Sequence, residues 1–178
     1  MLFENLDIHT GNKIELKNTY NKIVNRGRGG FCYELNGLFY LLLKNIGFTV
    51  KLISARPFNI STKEFGPEFD HMAIIATINN TKYLVDVGFG EFSFLPLKIE
   101  LNMLQIDQRG KFIIEKHDDV YLIVKKVDDV NLIPEYIFTE TNRKLSDFYE
   151  MYTYHQTNSN SHFTQKRLYA PYLLKRGE

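Results

Sequence analysis

The stretch NRGRGGFCYELNGLF, Asn25 to Phe39, carries the only cysteine of the chain, Cys32, directly behind Gly29 and Gly30. A thiol at the start of a helix sits beside unbonded backbone N–H groups and the positive end of the helix dipole, and both favour thiolate. A glycine-rich approach also lets a substrate carbonyl come close to the backbone. Taken alone, Cys32 reads first as an inert core residue, because free cysteines are often buried. Nucleophilic catalysis needs a base within hydrogen-bond reach and a third group to orient it. Of the five histidines, His71 stands apart because it opens an apolar run, HMAIIATI, after a polar segment. Asp86 is an acidic residue inside the apolar VDVGFG and follows His71 by fifteen positions. Antiparallel pairing about a turn at Asn79 and Asn80 makes the numbers of paired residues sum to about 159. His71 then lies opposite Gly88 and Asp86 opposite Ala73, which makes His71 and Asp86 diagonal neighbours on one face. Singly, His71 reads as a strand-initiating histidine and Asp86 as a backbone-bonding aspartate. Together with Cys32 they form a Cys-His-Asp constellation.

The elements that must position these residues follow from periodicity. Residues 1–11 read as irregular, broken at Gly11, and Ile14 to Val24 as a helix with Asn12 as its cap. Asn25 to Gly30 is a loop suited to unusual backbone angles. From Cys32, the apolar residues Leu35, Leu38, Phe39, Leu42 and Leu43 predict an amphipathic helix closed by Gly47 at C′. FTVKLISARP then alternates as a strand ending at Pro57, and Phe58 to Asp70 is a long polar loop. HMAIIATI and KYLVDVGFG form a hairpin through NNT. KFIIEKHDDVYLIVKKV gives two strands around Asp118 and Asp119, YIFTE adds another, and Ser146 to Gln156 is a helix capped by Ser146. Helices followed by antiparallel strands argue an α+β architecture.

Composition narrows the function. The chain has 178 residues, 44% hydrophobic and 24% charged, long enough for one good-sized domain or two small ones sharing a core. A net charge of +1 provides no field to steer nucleic acid or an anionic membrane, so neither is an expected partner. One cysteine makes no internal disulfide, the opening MLFENLDIHT lacks a signal-peptide pattern, and no apolar run reaches the roughly 20 residues of a membrane helix. A cytoplasmic protein is expected. No C-x-x-C or H-x-x-x-H pair suggests a metal, and no lysine-serine or lysine-threonine pair follows the glycines to make a phosphate loop.

The motifs carry a resemblance. RGRGGFCYELN resembles the R-G-G-x-C-x-E-x-N signature of the arylamine N-acetyltransferases, matched by Arg28, Gly29, Gly30, Cys32, Glu34 and Asn36. FENLDI resembles that family's P-F-E-N-L motif, DVGFG its aspartate motif, and SHFTQKR its later F-T segment. The order cysteine, histidine, aspartate agrees as well. The resemblance implies an α+β, cysteine-protease-like fold. Its helical segment, 1–47, would carry the nucleophile, and an antiparallel β-barrel or sheet, 48–145, would bear His71 and Asp86. A helix and the start of a third region would occupy 146–178. It implies Cys32 as nucleophile, His71 as base and Asp86 as orienting carboxylate. Acetyl would pass from acetyl-CoA through a Cys32 thioester to an arylamine or arylhydrazine, as in xenobiotic metabolism. Backbone N–H groups at the helix start, Cys32 among them, would hold the oxyanion. Phe31 and Phe89 would line an apolar substrate pocket, with core packing as their alternative role. Arg28 would pair with Glu4, while Glu34 and Asn36 would support the site. Set against the family pattern, the chain opens at its F-E-N-L motif and stops soon after the F-T segment, so it reads as truncated at both ends. Exposed apolar surface and self-association would follow. Two other readings stand beside this one: a thiol hydrolase in which water resolves the acyl-enzyme, and an inactive remnant with an inert Cys32.

Overall fold

The computed structural model describes residues 2–12, 14–90, 92–128 and 130–170. The opening segment is less irregular than expected, forming a short strand β1 (Phe3–Glu4) and a one-turn helix α1 (Leu6–His9). The helix expected from Ile14 to Val24 forms as a continuous helical run over 16–25, of 3₁₀ pitch at Leu16–Asn18 and widened to π pitch at Asn21–Asn25. Its expected first residue is drawn out of any helical ladder. The Ile14 N–H donates to Gln156 Oε1, and the Ile14 carbonyl accepts from the Tyr152 hydroxyl.

Helix α2 (Cys32–Asn45) follows the expected bounds closely. Gly47, at φ +95°, closes it in a Schellman arrangement: its N–H bonds the Lys44 carbonyl and that of Phe48 bonds the Leu43 carbonyl. Burial along α2 is complete over its first turns and one-sided beyond them, where Phe39, Tyr40 and Leu43 stay partly buried against the sheet. Cys32 to Gly37 are all buried, while the distal half emerges and leaves Leu41 and Leu42 exposed. Leu42, expected in a buried stripe, lies outside because the face that meets the sheet at this end of α2 is made by Phe39, Tyr40 and Leu43.

The strands are β2 (Thr49–Asn59), β3 (Glu64–Phe65), β4 (His71–Ile78), β5 (Thr81–Val85), β6 (Leu97–Lys98), β7 (Gln105–Asp107), β8 (Gly110–Lys116), β9 (Leu122–Asp128) and β10 (Asn131–Phe138). They form one antiparallel sheet in the order β6-β5-β4-β2-β10-β9-β8-β7, with β3 folded onto the end of β2. Its outer strands nearly meet: Gln105 donates to the Lys98 carbonyl and accepts from the Lys98 N–H, so the sheet curls almost into a barrel. The β4–β5 register is the expected one, running from Ile74↔Val85 to Ile78↔Thr81. Asn79 and Asn80, both at positive φ, make the two-residue turn. Three bounds differ. Strand β2 continues through Pro57 because β4 ends at the Ala55↔His71 pair, leaving one side of β2 without a full strand where proline lacks a donor. Strand β5 stops at Val85, so Asp86 to Gly90 form a loop. Strand β10 starts upstream of YIFTE and absorbs Pro134 at a bulge. A 3₁₀ turn, Leu145–Phe148, closed by the Lys144 N–H on Asp147, delays helix α3 to Tyr149–Thr157, so Ser146 is not its cap. Helix α4 (His162–Gln165) and β11 (Tyr169–Ala170), paired with β1, complete the described chain.

Period-two alternation divides the core. Ile53, Ala55, Ala73, Ile75 and Leu84 face the barrel interior with Phe112, Tyr136 and Phe138. Leu52, Met72, Ile74, Ala76 and Val85 face α2, packing with Phe31, Tyr33, Phe148 and Tyr152. Among the described residues no helix is long and apolar enough to cross a membrane.

A buried charge cluster ties the opening segment to the start of α2. Lys22 Nζ lies 3.0 Å from both Glu34 carboxylate oxygens and 3.0 Å from Asp7. Arg28 bonds Glu4 and Asp7, each at 2.7 Å, so the expected Arg28–Glu4 pair is present. Burial lifts the Glu34 carboxyl to about 7 against the pull of Lys22. Lys22→Met would strand this fully buried carboxylate. Removing one partner of a buried ion pair costs about 3–5 kcal/mol, so the urea midpoint at pH 8 should drop steeply. Below pH 6, where Glu34 takes up a proton, the loss should shrink. An unchanged midpoint at pH 8 would show that the cluster does not anchor this segment.

Candidate active site

Cys32 is the first residue of α2, and Phe31 precedes it in extended conformation. The turn is held reciprocally: Glu34 accepts from the Phe31 N–H, and the Glu34 N–H donates to the Phe31 carbonyl. Gly29 and Gly30 are required for closeness rather than for unusual angles. A Cβ on Gly29 would lie 2.3 Å from the Leu2 carbonyl oxygen, and one on Gly30 2.9 Å from Glu34.

His71, the first residue of β4, and Asp86, the first after β5, meet at one end of the hairpin. His71 Nε2 lies 2.6 Å from Asp86 Oδ2, with both side chains almost wholly buried. Cys32 interacts with the same ring, and with Nε2 committed to Asp86 the nitrogen left for the thiol is Nδ1. Burial alone would push the His71 imidazole down. The Asp86 carboxylate with its hydrogen bond, reinforced by Cys32, outweighs burial and raises it to about 10.

Asn36, one helical turn beyond Cys32, locks these parts together. Its Nδ2 donates to the Met72 carbonyl at 2.6 Å and to Asp86 Oδ1 at 2.8 Å, while its Oδ1 accepts from the Val87 N–H at 2.9 Å. Asp86 Oδ1 also accepts from the Gly88 N–H at 2.9 Å. Gly88 packs on Cys32 itself, since a Cβ there would stand 2.8 Å from Cys32 Cα and 2.9 Å from Asn36 Nδ2.

Phe89 is half-buried with its ring 4.9 Å from that of His71. Phe31 is not brought to an open wall. It is fully buried, stacked with Tyr152 and edge-on to Tyr33 and Phe163, because the residue before α2 points into the helix–sheet core. Tyr136 is a site neighbour that sequence reading missed. Its fully buried ring lies 5.6 Å from His71, and burial followed by the Asp86 carboxylate pushes its phenol far above the ordinary range. The hydroxyl lies beside Asp86 without a well-formed hydrogen bond. Only the parity of β10 could have flagged it. Cys32 is 3% exposed and His71 2%, so the constellation is closed over. A cleft of 550 Å³ beside α3 touches none of the three, and one of 370 Å³ beside the distal half of α2 is lined by Asp86 but by neither Cys32 nor His71.

A family model described as N-acetyltransferase matches residues 1–176. The chain belongs to the arylamine N-acetyltransferase family. It is 30% identical to the pineal gland isozyme of arylamine N-acetyltransferase from Gallus gallus, over 93% of this chain and 64% of that protein. The arylamine N-acetyltransferase of Salmonella typhimurium superposes with a TM-score of 0.90 at 25% identity, over 98% of this chain and 64% of that one. The Mycobacterium marinum enzyme, solved in complex with CoA, superposes at 0.83 with 26% identity, over 92% of this chain and 63% of that one. The chain thus spans somewhat less than two thirds of the length of these relatives.

Two outcomes follow from the geometry. Gly88→Ala drives a Cβ into backbone atoms of Cys32 and should destabilise the fold by about 1–3 kcal/mol, as overpacking does. A urea midpoint equal to that of the parent chain would contradict this contact. The raised His71 pKa stabilises the fold fully below the unfolded value of about 6.5, and this contribution is lost as pH rises towards 10. The melting temperature should therefore fall across that window and fall less in His71→Gln. Equal slopes in the two proteins would show that His71 is not the group responsible.

Proposed function

We propose that this chain carries the acyl-transfer centre of an arylamine N-acetyltransferase, with Cys32, His71 and Asp86 as its triad. The observation that supports it most is one buried imidazole held 2.6 Å from Asp86 that also interacts with Cys32 at a helix start. In this reading His71 Nδ1 takes the thiol proton while Asp86 holds the resulting imidazolium. The Cys32 thiolate attacks the carbonyl carbon of acetyl-CoA, and the backbone N–H of Cys32 stabilises the oxyanion. Collapse breaks the bond to the CoA sulfur, which takes the proton from His71, and leaves acetyl-Cys32. An arylamine or arylhydrazine nitrogen then attacks this thioester, gives its proton to His71 and departs acetylated, freeing the thiol. Kinetics should be ping-pong. Phe89, beside His71, is the ring placed to meet the aromatic amine, and Phe31 shapes the start of α2 from the core. Family membership supports acetyl-CoA as donor, given the relative solved with CoA.

Intact-mass analysis of the purified chain with acetyl-CoA tests this. One acetyl group should appear on Cys32, be absent in Cys32→Ala, and discharge faster when an arylamine is added. Replacing His71 by alanine should slow acetylation by about 10²–10⁴-fold, the usual worth of a positioned base. Discharge at the same rate with and without amine would identify a thiol hydrolase instead, and no acetyl-Cys32 at all would refute the reading.

A further inference from the structure

A second buried histidine, His155 on α3, holds the carboxylate of Asp70, the residue immediately before His71. His155 Nε2 lies 2.8 Å from Asp70 Oδ1, and His155 Nδ1 lies 2.9 Å from Ser161 Oγ. The Ser161 oxygen also accepts from the Phe163 N–H. The assignment that satisfies every partner has the Ser161 hydroxyl donating to Nδ1 and the Nε2 proton donated to Asp70. Ser161 is 2% exposed and caps α4, so the trio presents no nucleophile despite its Ser-His-Asp order.

What the trio grips is the turn that delivers His71. Phe69 stands at φ +65°, in the left-handed region that a phenylalanine avoids. Such a conformation persists where the surroundings over-determine it. Here the Phe69 N–H donates to Ser54 Oγ at 2.7 Å. The hydroxyl of Tyr33, the residue after Cys32, reaches the carbonyls of Phe69 at 2.8 Å and Asp70 at 3.1 Å. Arg56 Nε donates to the Gly66 carbonyl at 2.6 Å. Gly66 leaves room for the Asp70 carboxylate, since a Cβ there would lie 2.4 Å from Asp70 Oδ2. The turn is therefore held by the neighbour of Cys32 on one side and by α3 on the other.

We infer that His155, acting through Asp70 and the Phe69 turn, is a positioning residue that sets the His71 ring between Cys32 and Asp86. Its kinetic consequence rests on the acyl-transfer reading of the site, while its structural consequence does not. The full chain should be compared with His155→Ala, His155→Gln and Asp70→Asn. In His155→Ala the downfield nuclear magnetic resonance of the His71 Nε2 proton should shift or broaden. Acetylation of Cys32 should slow by about 10–100-fold, as misplacement by about 1 Å does, with little change in KM for acetyl-CoA. His155→Gln, which retains an amide donor for Asp70, should recover much of both signals at a similar melting temperature. Should His155→Ala fail to fold, Asp70→Asn is read in its place. Folded variants with an unchanged His71 resonance would overturn the inference. If the parent chain forms no acetyl-Cys32, the acyl-transfer reading fails alone, and the resonance still decides the positioning role.

Discussion

The carboxamide of Asn36 directs both its donor and its acceptor to joining helix α2 to the ends of β4 and β5. It bonds the Met72 carbonyl beside His71, the Asp86 carboxylate and the Val87 N–H, all from a position one turn after Cys32. A buried amide left without such partners costs about 1–3 kcal/mol, so the helix cannot slide or rotate against the hairpin without loss. Gly88 sets the same distance from the steric side, because nothing larger fits against Cys32 Cα. Helix and hairpin come from separate parts of the chain, and this contact makes a helix-start thiol and a strand-start imidazole neighbours.

Around this joint the carboxylates are buried and paired. Burial makes each pair stronger and each orphan costlier, since the low-dielectric interior screens little. Lys22 and Arg28 between them hold Glu4, Asp7 and Glu34 close to the first turn of α2. Asp86 holds His71 at the open end of the hairpin. The first turn of α2 therefore lies between two electrostatic clamps, which suits a residue whose reactivity depends on its exact surroundings. The aromatic layer of Phe31, Tyr33, Phe148 and Tyr152 fills the space behind it and carries α3 to Asp70.

Local features were legible wherever the determining interactions lie within a few residues. The β4–β5 register could be read because two asparagines at positive φ make a tight turn and fix the pairing on both sides. The end of α2 could be read because Gly47 supplies the left-handed residue its cap needs. The Cys32, His71 and Asp86 constellation was legible as residue types in order, with Asn36 recognised as support. Features set by depth or distance were not. Leu42 matched a helical stripe and lies outside, Phe31 was open to either a pocket wall or the core and burial decided for the core, and Tyr136 gave no sign of standing beside Asp86. The near-closure of the sheet depends on twist accumulated over all its strands, which no single strand encodes.

The sequence by itself determined the thiol at a helix start, the hairpin that sets His71 and Asp86 on one face, and the family to which these motifs belong. Each is a matter of residue type and short-range periodicity, where backbone geometry leaves few alternatives. Tertiary structure alone decided that Asn36 bridges helix to hairpin, that the site is closed over, and that His155 reaches Asp70 across 85 positions. Those contacts join residues far apart in the chain. Their geometry is set by how deeply α2 enters the core and how far the sheet curls, quantities that exist only once all the elements have packed together.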